Sequence, residues 1–499
     1  MLRLLLFFKA TVSVALFLLK EACMQAVSDF LLPIVQTVNA YMSDYILIFL
    51  LLGVGLFYTI RTRFVQVRCF GEGMKKVFGN ISLRGGKSKS GLSSFQALAT
   101  AIAAQVGTGN IVGACGAILI GGPGAIFWMW VIAFFGMATI YAEAVLAQET
   151  KIVDADGNVQ GGPVYYIRKA FTGKFGKFLA GFFAVAIILA LGFMGTMVQS
   201  NSISEAVSSA SFGYIPPWVI GLVLATICAF IFIGGINRIA SVAEKIVPVM
   251  AVLYIVLGII VLGVNITKIP ETIGMIFKYA FVPQAILGGA FGAGIKAAIS
   301  QGAKRGLFSN EAGMGSTPHA HAQANVKTPH EQGVVAMIGV FIDTFVVLTI
   351  TALVVISTLY AGNGPLSTPE GLAATTITKG NMIQTTMGQI FGSVTGNILV
   401  AICLTFFAFT TIIGWNFFGK QNVQYLFGKK ATVVYSVIAI AFIFLGSLFP
   451  NDLVWELADM FNNIMVIPNV IALFALSAIV VGALKAGAKK NKKAEKAEK

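Results

Sequence analysis

Gln105-Val106-Gly107-Thr108-Gly109-Asn110 lies in the middle of an apolar segment that runs from about Leu92 to Ile120. A helix that crosses the roughly 30 Å hydrocarbon layer of a bilayer wants ~20 apolar residues without interruption. Two glycines work against that aim, because each costs ~1 kcal/mol in a helix interior relative to alanine. The N–H and C=O groups freed by a break cost several kcal/mol more unless something satisfies them. A break at mid-membrane is therefore tolerated where it lines a cavity and binds something. Close helix packing through small residues would explain Gly107 and Gly109. It leaves the polar pair Thr108 and Asn110 unexplained.

Composition sets the class. The chain has 499 residues, 57% hydrophobic and only 11% charged, against about 25% charged in soluble domains. Its mean hydropathy is +0.85. This is the profile of an all-α polytopic membrane protein. The net charge of +15 would suggest nucleic acid in a soluble protein; here its distribution matters more than its sum, and no nucleic-acid partner is expected. The five cysteines are scattered and imply no disulfide framework or metal spacing.

Hydropathy gives eleven spans, near 44–60, 92–120, 124–147, 178–200, 216–236, 242–264, 283–302, 333–358, 394–418, 430–450 and 462–484. Residues 1–43 form an N-terminal hydrophobic or peripheral segment; its first twenty residues read equally as an uncleaved signal-like run, an extra helix or an upstream start that adds little. Basic residues concentrate in alternate loops: 61–91, 151–177, 238–245, 304–327, 420–430 and the Lys-rich tail 485–499. The opposite loops hold Lys268, Lys278 and Lys379. Lys and Arg in short loops stay cytoplasmic. The expectation is a multi-pass cell-membrane protein with a cytoplasmic C-terminus.

A second run of helix breakers, Gly288-Gly289-Ala290-Phe291-Gly292-Ala293-Gly294, falls in span 283–302. Each interrupted span is followed by four more, giving five-helix blocks over 92–264 and 283–484, with 44–60 as a peripheral helix. Five is odd, so the second block enters from the opposite face. Two inverted five-helix repeats, each opened by a broken helix, is the layout of secondary transporters.

Half-helices meeting at mid-membrane offer N–H groups to an anion and carbonyls to a cation, and a zwitterionic amino acid needs both. Its carboxylate is expected at the half-helix starting near Gly109-Asn110, and its ammonium at carbonyls near Gly288-Gly289. Span 394–418 adds Thr410, Thr411, Gly414 and Trp415. Threonine hydroxyls suit an alkali cation, although in membrane helices they commonly bond back to the i−4 carbonyl. Thr411 and Trp415, four apart, share a face. Gln199 and Asn201 read as outer-interface residues, with Gln199 either facing the pocket or capping its helix. Glu143, Lys296 and Asp343 are the intramembrane charges, functional by default; Asp343 is also a candidate proton carrier. His319 and His321 read as a cytoplasmic loop without a third metal ligand.

The stretch GGPGAIFWMWVIAFFG, Gly121 to Gly136, strongly resembles the signature of the sodium/alanine (alanine or glycine:cation) symporter family. GLSSFQALATAIAAQVGTGNIVG and RGLFSNEAGMGSTPHAHA are similar to that family too, and the resemblance covers about residues 44 to 485. It implies a leucine-transporter-type fold and Na⁺-coupled uptake of alanine or glycine, in some members D-alanine and in others glutamine. It implies that Thr108, Gly109 and Asn110 touch substrate, with Asn110 also near a cation. The Ala103 and Val106 carbonyls with Thr410 and Thr411 would match a sodium site. Gly288, Gly289, Gln199, Thr411 and Trp415 would complete the substrate pocket.

The function expected is Na⁺-coupled symport of a small neutral amino acid by alternating access, without covalent chemistry, catalytic residues or a cofactor beyond Na⁺ as coupling ion. Its partners are the amino acid, Na⁺ and the lipid bilayer. The alternative is a Na⁺- or H⁺-coupled carrier of another neutral amino acid such as glutamine or serine. A membrane-embedded enzyme is disfavoured by three histidines in the whole chain, and a channel would carry only downhill flux.

Overall fold

A reciprocal cap opens the first interrupted span. The Gln96 N–H donates to Ser93 Oγ (3.0 Å) and the Ser93 N–H to Gln96 Oε1 (3.1 Å), satisfying two of the donors a helix start leaves free. The computed structural model describes residues 25–79, 92–154, 157–233, 235–282 and 291–497. The described residues are helical nearly throughout, with one small hairpin among them pairing β1 (Ile152–Val153) and β2 (Val159–Gln160).

Taken in order, the spans are α1 (Gln25–Arg61), the bent pair α2 (Ser94–Gln105) and α3 (Gly109–Gly121), α4 (Ala125–Thr150) and α5 (Gly173–Ala210). Then come α6 (Pro217–Phe232) and α7 (Gly235–Val264). The second half holds α8 (Phe291–Asn310), the short α9 (Pro318–Ala322), α10 (Pro329–Leu359), α11 (Ser393–Phe427), α12 (Ala431–Gly446), α13 (Asn451–Ala475) and α14 (Ser477–Ala497). Among the described residues, seven helices are long and apolar enough to cross a membrane, eight with the bent pair, and α6 and α12 are shorter apolar helices. Phe49, Phe230, Ile233, Val434 and Val437 are all more than 60% exposed, as lipid-facing side chains should be. Away from the interruptions described next, the spans are helical, the arrangement that satisfies backbone polar groups in lipid.

The first break stands where the sequence puts it: α2 and α3 meet at 48° across Val106–Thr108. Of the second expected break, Gly288, Gly289 and Ala290 lie outside the described residues, while Phe291–Gly294 form the first turn of the helix α8. The described interruption in this half comes after Asn310, where Glu311 (φ 57°), Gly313 (φ 95°) and Gly315 (φ 80°) take left-handed backbone before α9 begins. Hydropathy hides it, because Lys304, Arg305, Asn310 and Glu311 make the segment look like a loop. His319 and His321 follow it in α9, each 1% exposed, rather than in an exposed loop.

Other boundaries shift for similar reasons. The helix expected at 44–60 is one continuous element from Gln25, through a π-type stretch at Met42–Leu47. The last span is Asn451–Ala475 rather than 462–484: Asp452, Glu456 and Asp459 depress the hydropathy of its first half, and the apolar stretch beyond them is divided at Leu476. Helix α5 continues to Ala210, so Gln199 is an interior residue of its helix and not a cap. The N-terminal run 1–20 lies outside the described residues.

Candidate functional site

Backbone freed at the first break is claimed by side chains. The Gly107 N–H donates to Asn110 Oδ1 (3.0 Å), and the Thr108 N–H to Gln199 Oε1 (3.2 Å) on α5. Asn110 Nδ2 donates to Asp343 Oδ1 on α10 (2.6 Å). Gly107 is required by its surroundings: a Cβ there would run into Thr411 Oγ1 and lie 3.2 Å from Gln199 Oε1. Gly109 likewise permits contact with the second discontinuous helix, since its Cβ would stand 3.0 Å from the Ser309 Cα and 3.1 Å from Phe308. The two broken elements therefore touch, backbone against backbone.

The second break is held by a carboxylate. Glu143, fully buried on α4, accepts the Gly313 N–H (3.1 Å) and the Gly315 N–H (2.9 Å), one on each oxygen. Asn469 on α13, next to the helix-interior Pro468, donates to Glu143 Oε1 (2.6 Å) and to the Gly313 carbonyl (2.9 Å). The Ala312 N–H goes to Asn310 Oδ1 (3.0 Å). A left-handed non-glycine residue such as Glu311 persists only where its surroundings over-determine it, and these bonds do so.

Around the junction stand most of the residues that the sequence singles out. Thr411 Oγ1 donates to the Ala103 carbonyl (3.0 Å), joining α11 to the last turn of α2. The same hydroxyl lies 3.1 Å from the Phe407 carbonyl of its own helix, and Thr410 turns back onto that helix, within 3.0 Å of the Phe406 and 2.9 Å of the Phe407 carbonyls. It also shares with Ala103 the lining of a small space closed by Gly414 and α7. Trp415 is buried, its ring edge-on to Phe308 (5.7 Å) and against Gly195, where a Cβ would lie 2.5 Å from Cζ3. Its indole N–H donates to Glu311 Oε1 (2.5 Å), while Ser316 Oγ bonds the other carboxylate oxygen. Asp343 accepts from Ser309 Oγ (2.9 Å) and Thr344 Oγ1 (2.8 Å) as well as from Asn110. Among the buried polar atoms left without a hydrogen bond are Thr108 Oγ1 and Gln199 Nε2.

Sequence reasoning missed Glu311, Ser309, Asn310 and the bracing role of Glu143. The available signal was the pair Gly313 and Gly315 behind an acidic residue, in a segment set aside as a loop. Lys296 is exposed beside Tyr45 of α1, 4.8 Å from its ring centroid, away from the junction. A separate, open cavity of about 940 Å³ lies at the far end of α5, lined by Asn201, Glu205, Phe212, Phe449 and Asn451 among others. Neither break contributes to it.

The profile of the sodium:alanine symporter family matches residues 28–499. The chain belongs to that family. It is 42% identical over 454 residues, 91% of this chain and 96% of its relative, to the sodium/alanine symporter AgcS of Methanococcus maripaludis. It is 41% identical over 453 residues, 91% of this chain and 90% of the relative, to the probable sodium/glutamine symporter GlnT of Bacillus subtilis. Among solved structures it resembles MhsT in complex with L-phenylalanine, with a TM-score of 0.57 at 15% identity over 80% of this chain and 96% of that one. The fold is thus leucine-transporter-type, and the protein is a multi-pass, sodium-coupled amino-acid symporter rather than an enzyme.

In this symporter two charges of α8, Lys304 and Arg305, are drawn inward to partners. Lys304 (2.9 Å) and Arg305 (3.0 Å) both pair with Asp459 on α13, so they are buried helix residues rather than part of an exposed basic loop. Arg305 stacks on Trp455 at 4.9 Å, and Lys379, bonded to Asp452 (2.8 Å), lies 5.5 Å from the same ring. Burial, helped by nearby Arg305, holds the Lys379 amine below the usual lysine range.

Proposed function

We propose that this symporter carries alanine or glycine, bound where the two breaks meet, together with Na⁺ between α2 and α11. The observation that carries the reading is Glu311: a fully buried carboxylate in the second break, whose hydrogen-bond partners Trp415 and Ser316 are both neutral. An uncompensated buried charge is costly, and a substrate ammonium at Glu311 offsets it. The carboxylate of the same zwitterion then meets Gln199 Nε2 and Thr108 Oγ1, the two unpaired donors across the junction, at the start of α3. Trp415 against Gly195, with Phe308 at its edge, leaves little room for a side chain, which favours alanine and glycine over glutamine.

For the cation, the Ala103 and Val106 carbonyls and the Thr411 hydroxyl are the oxygen donors, with Thr410 joining by rotating away from its own helix. Asn110 serves the structure of the break and, through Asp343, places a second carboxylate behind it. Gly288 and Gly289 lie outside the described residues, and in this reading Glu311 takes the role expected of them. Na⁺ binding completes the amino-acid site, and the two halves rock to expose it to the other side. Moving one charge through 100 mV contributes ~2.3 kcal/mol, and a tenfold Na⁺ gradient adds ~1.4 kcal/mol. One Na⁺ thus supports roughly 500-fold accumulation of a neutral substrate. The distribution of basic loops favours a cytoplasmic C-terminus in the cell membrane.

Counterflow of labelled alanine, glycine and glutamine in proteoliposomes, with and without Na⁺, tests this. Alanine and glycine should exchange only with Na⁺ present. Preferential glutamine exchange would overturn the substrate assignment, and uptake that survives Na⁺ removal but collapses with an uncoupler would overturn the ion.

A further inference from the structure

Away from both breaks, three side chains of different donor chemistry converge at the basic end of the bundle. Cys69 and Glu72 lie at the start of the short helix Phe70–Phe78 that follows α1, and His330 lies in the first turn of α10. The Cys69 thiol, a Glu72 carboxylate oxygen and a His330 ring nitrogen all lie within 4.8 Å of one another. His330 Nε2 is the nitrogen that faces the cluster, 3.2 Å from Glu72 Oε2. Its other nitrogen, Nδ1, is 2.8 Å from the Tyr141 hydroxyl of α4. The imidazole is buried, whereas Cys69 and Glu72 are partly exposed, so the cluster opens toward solution on one side.

We propose that Cys69, Glu72 and His330 form a site for Zn²⁺ or a similar borderline transition-metal ion, unrelated to the Na⁺ coupling site. Thiolate, imidazole and carboxylate together select such an ion over Na⁺, Mg²⁺ or Ca²⁺, which take oxygen ligands. Tetrahedral zinc has ligand bonds of roughly 2.0–2.3 Å, so closing the cluster needs only modest rotation of the two part-exposed side chains. The Tyr141 oxygen can accept the Nδ1–H, fixing the tautomer that presents a lone pair at Nε2, the outer support that metal-bound histidines characteristically have. Three protein ligands leave a fourth position for water. The bound ion would clip Phe70–Phe78 to the end of α10, two elements already in close contact: a Cβ on Gly73 would lie 2.7 Å from both Ile338 Cγ1 and the Val334 carbonyl. Helix α10 also carries Asp343, so an ion here restrains the helix that backs the first break. The consequence is slower transport when the site is filled.

Full-length protein, stripped with a chelator and titrated with Co²⁺ alone, tests the site. The expected result is one Co²⁺ per chain with a thiolate-to-cobalt charge-transfer band that Zn²⁺ displaces. Cys69→Ser should lose the band, and Tyr141→Phe should weaken Co²⁺ binding on the order of tenfold. In metal-free proteoliposomes Cys69→Ser should transport like the parent, which also shows that it folds; added Zn²⁺ should slow the parent and leave the variant unaffected. Absence of the band in the parent, or its persistence in Cys69→Ser, would overturn the site and leave a plain hydrogen-bonded chain from Tyr141 through His330 to Glu72. Co²⁺ binding without any effect of Zn²⁺ on uptake would overturn the restraint on α10.

Discussion

The two breaks solve one problem by different chemistry. At the first, the exposed N–H groups of Gly107 and Thr108 are taken by the neutral amides of Asn110 and Gln199. At the second, the N–H groups of Gly313 and Gly315 are taken by a single carboxylate, Glu143, delivered from α4. The first break is braced by groups beside the proposed ligand site, so it can respond to what binds there. The second is anchored from behind, which frees another carboxylate, Glu311, to face the junction. Two buried acids thus meet at one interruption: Glu143 holds its backbone, and in the proposed reading Glu311 holds the substrate's charge.

That division can be broken at its most sensitive point with Glu311→Gln. The amide oxygen still accepts from Trp415, so the fold should survive while the charge is lost. Removing one partner of a buried charge pair costs ~3 kcal/mol, on the order of a hundredfold, and Na⁺-driven uptake should fall by that factor with the melting temperature nearly unchanged. Glu143→Gln should behave in the opposite way. Its NH₂ group would confront one glycine N–H, leaving a buried donor unsatisfied at about 1–3 kcal/mol, so the melting temperature in detergent should drop while the protein that remains folded still binds substrate.

How legible this was depended on the surrounding residues. The first break was readable because Gly107, Thr108, Gly109 and Asn110 interrupt an otherwise apolar run, and an apolar frame makes polar residues conspicuous. The interruption at 311–315 was missed because its frame is polar: Lys304 and Arg305 look like loop residues until Asp459 and Glu456, more than 150 positions away, are seen to pair with them. The Gly288–Gly294 run drew attention because it gathers helix breakers in an apolar span. Likewise Gln199 looked like a helix end, since hydropathy fades at Ser200 and Asn201 while the helix itself continues to Ala210. Fold class, span order and the α11 residues Thr411 and Trp415 were open to pattern; long-range ion pairs and the path of Glu143 were not.

Two smaller effects sharpen the contrast. Thr411→Val removes the hydroxyl that meets the Ala103 carbonyl but keeps the shape of the side chain. Half-maximal Na⁺ activation of uptake should shift upward about tenfold, worth ~1.4 kcal/mol, with expression unaffected; an unchanged Na⁺ curve would take Thr411 out of the cation site. Trp455→Phe keeps an aromatic face under Arg305 while weakening the stack, which is worth ~0.5–1 kcal/mol at such sites. Uptake should change only a few-fold, because Arg305 retains Asp459.

The most direct test is a structure determined by electron cryomicroscopy with L-alanine and Na⁺ bound. Density for the amino acid should lie between Thr108, Gln199, Glu311 and Trp415, its ammonium toward Glu311, with the cation between the Ala103 carbonyl and Thr411. Alanine found instead in the open cavity lined by Asn201, Glu205 and Asn451, with nothing between the two breaks, would contradict the account.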